Sequence, residues 1–269
     1  MAMWARQNLL AIRFSGGEPL LYKGLNGLVK CAKYCGIKRI AVSSNGSLPT
    51  DRYLELINDG VNDFSISLDA CCAADANEMS GGVGRAWDQI AKNIEAISKV
   101  CYLTVGVVLT EYNAPKVSEI VEYANGLGVS DIRIIPAAQV DKKLSDVIVS
   151  DEVLDKYPIL KYRIDNVRNG KSVRSLNNTD SNRCGLCLDD MLVCGEYHYP
   201  CVIHFREGGA AIGKITDSDD KVRNDRLKWF FDHDTHKDEI CSNNCLDVCV
   251  DYNNCFRDKN KKYGKNWKE

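Results

Sequence analysis

The stretch "FSGGEPLLY", Phe14 to Tyr22, decides how this chain is read. It sets a Gly-Gly-Glu-Pro turn directly after the apolar run "LLAIRF" (9–14), the pattern of a strand that ends in a tight turn. Glycines let the backbone approach a ligand closely, and a carboxylate beside them offers a small cation a charge-assisted partner. No cysteine precedes this turn in the sequence.

Outward from that turn, residues 1–136 alternate two periodicities. "RIAVSSNG" (39–46), "DFSISLD" (63–69), "YLTVGVVLT" (102–110) and "DIRIIP" (131–136) read as strands. Between them "GLNGLVKCAKYC" (24–35), "TDRYLELINDG" (50–60), "GRAWDQIAKNIEAISKV" (84–100) and "APKVSEIVEYANGLG" (114–128) repeat apolar residues at helical spacing. With "LLAIRF" this makes five strands, each followed by a helix or a short connection. The prediction is an α/β fold, a parallel sheet or partial (β/α) barrel of TIM type, with ligand groups gathered at the C-terminal strand ends. Residues 137–180 are polar and read as a linker. Residues 181–260 read as a small, loop-rich, cysteine-rich domain, and 261–269 as a polar tail that frays.

The bulk numbers narrow the function classes. At 269 residues the chain buries about three quarters of its unfolded surface. Its 35 basic and 37 acidic residues leave a net charge of −2, so no general attraction to nucleic acid or anionic lipid is implied. Aromatic residues form no stacking platform for bases, and no apolar run approaches a membrane span of about 18 residues. A cytoplasmic location is expected, with neither nucleic acid nor membrane as a partner. Thirteen cysteines in a reducing compartment then indicate metal or redox chemistry before disulfides.

Four strand ends carry polar turns: "SGGEP" (15–19), "SSNGS" (43–47), "SLDA" (67–70) and "LTEYN" (109–113). Each alone is ordinary turn chemistry. In succession they would form one polar ring at one mouth. This order of motifs resembles the radical S-adenosylmethionine (SAM) superfamily over roughly residues 8–136. The resemblance implies a partial barrel that cleaves SAM reductively to methionine and a 5′-deoxyadenosyl radical. By the same resemblance, the backbone of Gly16 and Gly17 and the Glu18 carboxylate receive the cofactor's ammonium. Ser44, Asn45, Ser67 and Asp69 contact its ribose and carboxylate. Arg85 has no settled role. The family holds its catalytic [4Fe–4S] cluster in a "CxxxCxxC" loop upstream of the Gly-Gly-Glu-Pro turn, and no such loop occurs in this sequence. "CAKYC" lies downstream on a helical pattern, so Cys31 and Cys35 read as small buried apolar residues. The first βα unit is accordingly expected to be missing, with an exposed sheet edge as the consequence. The chain alone is expected not to generate the radical, and the catalytic cluster to require the missing segment. An electron donor would be a partner of the complete form.

The last third is the second signal. "CGLCLDDMLVCGEYHYPC" (184–201) and "CSNNCLDVCVDYNNC" (241–255) concentrate eight cysteines. Cys184, Cys187, Cys201, Cys241, Cys245, Cys249 and Cys255 are the candidate metal ligands, while Cys194 sits in a strand pattern and reads as core. Zinc and iron–sulfur clusters both accept such a set. The segment is similar to the SPASM or shorter twitch extension that carries auxiliary [4Fe–4S] clusters. Its C-x2-C-x13-C spacing is also similar to the auxiliary site of molybdenum-cofactor cyclases. That similarity implies one or two auxiliary clusters and a peptide or other bulky or small-molecule substrate. The rival reading is a non-catalytic iron–sulfur or zinc-binding scaffold with a degenerate barrel.

Overall fold

The computed structural model describes residues 1–79, 87–137 and 147–262. Arg85 and the end of the tail, 263–269, lie outside the described residues. Two compact units are present, Met1–Asn169 and Gly170–Glu269.

The first unit begins with α1 (Ala2–Arg6) and β1 (Ala11–Phe14). There follow α2 (Leu25–Tyr34), β2 (Arg39–Ser44), α3 (Thr50–Asp59), β3 (Asp63–Ser67), α4 (Ala73–Met79) and α5 (Trp87–Ser98). The unit is completed by β4 (Tyr102–Leu109), α6 (Val117–Gly126), β5 (Asp131–Pro136), α7 (Asp151–Lys156) and α8 (Pro158–Arg168). The five strands form one parallel sheet in sequence order, β1-β2-β3-β4-β5. This is the α/β partial-barrel arrangement that the alternation predicts.

Side chains alternate across a strand, so the register sorts the sheet into two faces. Ile40, Val42, Phe64, Ile66, Leu103, Val105, Val107, Ile132 and Ile134 share one face, each at most 2% exposed. Burying each such side chain stabilises the fold by about 1.5–3 kcal/mol. The opposite face carries Arg13, Arg39, Ser43, Asp63, Ser65, Ser67, Thr104 and Arg133. Its charges are matched internally: Asp63 pairs with Arg39 and, at 3.5 Å, with Arg13. Arg13 also donates to Ser43 Oγ at 3.0 Å, and Arg133 to Ser65 Oγ at 3.2 Å. Parallel sheets usually bury two apolar faces, so a hydrogen-bonded polar face departs from that pattern.

Two expectations need correction here. The stretch 137–180, expected as a linker, contains α7 and α8, which bury Val153, Leu154, Tyr157, Leu160 and Ile164. Asp131 fastens them to the sheet: its Oδ1 and Oδ2 accept the Ile159 N–H at 3.2 and 3.1 Å. Cys31, expected as buried, is exposed and Cys35 only half-buried, because α2 turns Leu25, Val29 and Ala32 inward instead.

The second unit contains α9 (Leu186–Asp189), β6 (Leu192–Cys194), β7 (Tyr197–Tyr199), α10 (Val202–Arg206) and β8 (Gly213–Lys214). After these come α11 (Asp219–Asp232), α12 (Glu239–Asn244) and α13 (Asp247–Lys262). It is more helical than its composition predicts, and α13 takes in the first residues of the polar tail. The three short strands form one antiparallel sheet, β6-β7-β8. Cys194, expected in the core, is exposed because its strand lies at the edge of that sheet.

The packing of α8 yields a discriminating prediction. Leu160→Ala should cost the first unit about 2–5 kcal/mol in denaturant unfolding, the usual toll for a buried leucine. A change near zero would restore the linker reading.

Candidate cofactor site and cysteine pocket

The turn after β1 is held by its own glutamate. Glu18 caps the short 3-10 turn Pro19–Leu21, its Oε1 accepting the Leu20 N–H at 3.2 Å. The same carboxylate reaches the next strand end. It accepts the Ser44 hydroxyl at 2.9 Å (Oε1) and 3.0 Å (Oε2), and the Asn45 N–H at 2.8 Å (Oε2). Behind Ser44 stands the fully buried Tyr53 of α3, with its hydroxyl 3.2 Å from Ser44 Oγ. Burial pushes the Tyr53 phenol above its ordinary range, so it stays protonated.

Gly16 and Gly17 lie exposed beside this carboxylate, and a side chain added at either would meet nothing within 4 Å. The backbone there is open to an incoming group. Asn45 turns its Oδ1 onto the Ser47 N–H (2.9 Å) and hydroxyl (2.7 Å), fixing the turn after β2. Ser67 is exposed at the end of β3. Just beyond it Asp69 Oδ1 accepts the Val108 N–H at 2.7 Å, joining the β3 and β4 ends. Asn113 completes that junction, donating to the Asp69 and Val108 carbonyls at 3.0 Å each. Glu18, Ser44 and Asn45 are thus bonded together, and Ser67 and Asp69 stand at the tip of the strand next to β2. Tyr53 escapes a sequence reading because it acts from a helix behind the polar turns, whereas Asn113 belongs to the fourth polar turn, "LTEYN".

The second unit gathers cysteines round one pocket with about 560 Å³ of open space. Cys184, Cys201, Cys241, Cys245 and Cys249 line it, among apolar walls that include Leu186 and Ile203. Cys187 is fully buried, and its thiol bonds to Cys184. That bond pulls Cys184 down to about 7 and pushes Cys187 up. The same division occurs in the second cysteine group, where Cys245 bonds to Cys249, lowering Cys249 and raising itself. Burial pushes Cys201 up to about 11 and raises Cys241 as well. Thiols crowded this way resist common ionisation unless a cation binds them, and thiolates select soft metals and iron–sulfur clusters. N–H donors already face the sulfurs: His204 N to Cys201 Sγ at 3.4 Å and Asn253 Nδ2 to Cys184 Sγ at 3.7 Å. This donor set fits an iron–sulfur cluster. Cys255, the remaining candidate ligand, is exposed and does not line the pocket.

Arg226 is the residue that sequence reasoning misses. It is 7% exposed, bonds to the Cys187 and Asp190 carbonyls, and donates to Tyr199 O at 3.1 Å. A buried guanidinium beside these thiols would offset negative charge on any of them that ionised to bind a metal. Its position in the charged helix "DDKVRNDRLKWFFD" carries no signal of that role.

The strand-end geometry predicts a contrast between two glycines. Gly46, at φ +76°, would place a Cβ 2.7 Å from Ile66 Cγ2, whereas Gly36, at φ +79°, has open space. Gly46→Ala should destabilise the first unit by roughly 1–3 kcal/mol more than Gly36→Ala, measured by denaturant titration. Equal costs would contradict the close packing under the turn after β2.

Comparison with known proteins follows the same division. Residues 2–124 match the family described as the Radical SAM superfamily. A GTP 3′,8-cyclase of Xanthomonas campestris pv. campestris is 33% identical over 121 residues, 44% of this chain and 35% of that protein. A GTP 3′,8-cyclase of Clostridium perfringens is 29% identical over 168 residues, 61% of this chain and 50% of that protein. The chain thus spans a third to a half of the length of these curated relatives. The crystal structure of Streptococcus suis SuiB shares the fold at a TM-score of 0.57 and 13% identity, over 82% of this chain and 57% of that one. The family implies SAM and a [4Fe–4S] cluster as cofactors. Residues 2–124, 123 of the 269, are thus similar to the radical SAM superfamily domain.

Proposed function

We propose that this protein is a radical SAM enzyme. Its first unit holds SAM at the tips of β1 to β3, and its second unit holds an auxiliary iron–sulfur cluster. The observation that carries this reading is the Glu18 carboxylate, fixed by Ser44 and Asn45 beside the exposed backbone of Gly16 and Gly17. A carboxylate oriented in advance loses little freedom when an ammonium arrives, which favours binding. Glu18 receives the methionine ammonium, Gly16 and Gly17 admit it, and Asn45, Ser67 and Asp69 orient the ribose and carboxylate. Bound SAM, given one electron through a [4Fe–4S] cluster for which this sequence offers no CxxxCxxC loop, would split into methionine and a carbon radical that takes hydrogen from a substrate.

The polar face of the sheet then borders the substrate space, with Arg13, Ser43, Ser65 and Arg133 positioned by their mutual hydrogen bonds. A peptide or another bulky molecule is the substrate class, and an external reductant supplies the electron. Cys184, Cys187, Cys201, Cys241, Cys245 and Cys249 are the thiols from which the auxiliary cluster draws its ligands.

SAM binding tests the reading without requiring turnover. Calorimetry on the anaerobically reconstituted chain should show binding that weakens about 10- to 150-fold in Glu18→Gln, as expected for a lost charged hydrogen bond of roughly 1.5–3 kcal/mol. Equal affinity in wild type and Glu18→Gln, or no SAM binding at all, would refute the cofactor site.

Metal analysis tests the second unit. Iron and acid-labile sulfide should both be present in wild type and be lost when Cys184 and Cys201 are replaced by alanine. Retention of both in that double variant would exclude the pocket as the cluster site.

A further inference from the structure

The turn after β2 is fixed by a side chain from a helix far along the chain. Asn93, in α5, is fully buried. Its Nδ2 donates to the Gly46 carbonyl at 2.8 Å and to the Leu48 carbonyl at 2.7 Å. Its Oδ1 accepts the Thr50 hydroxyl at 2.7 Å and Gln89 Nε2 at 3.0 Å. Both donors and both lone pairs of the amide are therefore in use. Ile90, Ile94 and Ile97 form the inward face of α5 beside it, so an apolar residue at position 93 would continue that stripe. A buried amide in such a place is tolerated only through the partners it meets. Three of its four partners belong to the turn and the start of α3 that follows it.

Tyr53 grips the same turn from α3. Its hydroxyl accepts the Leu48 N–H at 3.3 Å and lies 3.2 Å from Ser44 Oγ. Leu48 is thus held by its N–H from α3 and by its carbonyl from α5. Ser44 Oγ also accepts the Gly46 N–H at 3.1 Å. Asn45 stands between these fixed points, and its own N–H is the one that meets Glu18 Oε2 at 2.8 Å.

We infer that Asn93 is a positioning residue for the SAM site. From α5 it clamps the Gly46 and Leu48 carbonyls and so holds Asn45 where its N–H reaches Glu18. The inference rests on the proposed SAM site. Gly46 sits at φ +76°, a conformation that glycine leaves readily, so nothing in its own chemistry holds the turn. Without the clamp the two carbonyls lose their donors, the Asn45 peptide turns, and Glu18 loses one of the bonds that orient it. That orientation must then be made up when the ammonium binds, which weakens binding. Asn113 makes a comparable clamp at the next pair of strand ends, donating to the Asp69 and Val108 carbonyls.

Calorimetry with SAM on the full chain, reconstituted anaerobically, tests the clamp through a double-mutant cycle with Glu18. Asn93→Ala should weaken SAM binding about tenfold when Glu18 is present, and less than about twofold in the Glu18→Gln background. A merely structural role would lower affinity by the same factor in both backgrounds, and that result would overturn the inference. So would unchanged affinity in Asn93→Ala where Glu18→Gln alone weakens binding, an outcome that leaves the cofactor site standing. Absence of SAM binding to the wild-type chain would remove the site and the inference together. Thr50→Val deletes one of the two donors to Asn93 Oδ1 from a half-exposed position, and it carries the test if Asn93→Ala fails to fold. It should weaken binding about threefold with Glu18 present and not at all in Glu18→Gln. An equal loss in both backgrounds, or no loss in either, would contradict the clamp.

Discussion

The carboxylate of Glu18 joins the ends of two parallel strands. By accepting from Leu20, Ser44 and Asn45 together, it closes the turn after β1 on itself and ties it to the turn after β2. A carboxylate with several donors is held in one orientation. Tyr53 stands behind Ser44 and passes the constraint on to α3. The strand tips are therefore a fixed surface, with glycine backbone on its outer side. If Glu18 were loose, the polar turns would be independent loops and the cofactor reading would have no rigid base.

The same sheet explains why the ligand should lie on one side only. Its apolar face is closed, from Ile40 through Phe64 and Val105 to Ile134. Its other face holds two groups of hydrogen bonds and ion pairs, Arg13 with Ser43 and Asp63, and Arg133 with Ser65. Such groups cost stability relative to an apolar layer unless every member is satisfied. In the second unit Arg226 shows a comparable logic, a buried cation placed among thiols that carry negative charge once a metal binds.

The sheet was legible in the sequence because strand and helix periods alternate cleanly and the first four strands run into turns that contain glycine, asparagine or aspartate. "DEVLDKYPILKYRIDNVR" (151–168) was not, since charged residues surround the few apolar positions that α7 and α8 bury. The cysteine spacing pointed to a metal, but it could not separate Cys255, which is exposed, from the five thiols that line the pocket. Cys31 and Cys194 were misread for a related reason. Apolar character says that a thiol can be buried, while the helix face and the sheet edge decide whether it is. Nor could spacing bring His204 to Asp238, because that meeting depends on how α10 packs near α12. Local pattern fixes elements, and long-range packing chooses which side chains converge.

The most direct measurement of the central claim is a crystal structure of the chain grown with SAM. The account predicts the methionine ammonium within hydrogen-bonding distance of Glu18, beside Gly16 and Gly17, with the Ser44 and Asn45 contacts to that carboxylate intact. Cofactor bound away from the β1–β3 tips, with Glu18 still engaged only by its protein donors, would contradict it.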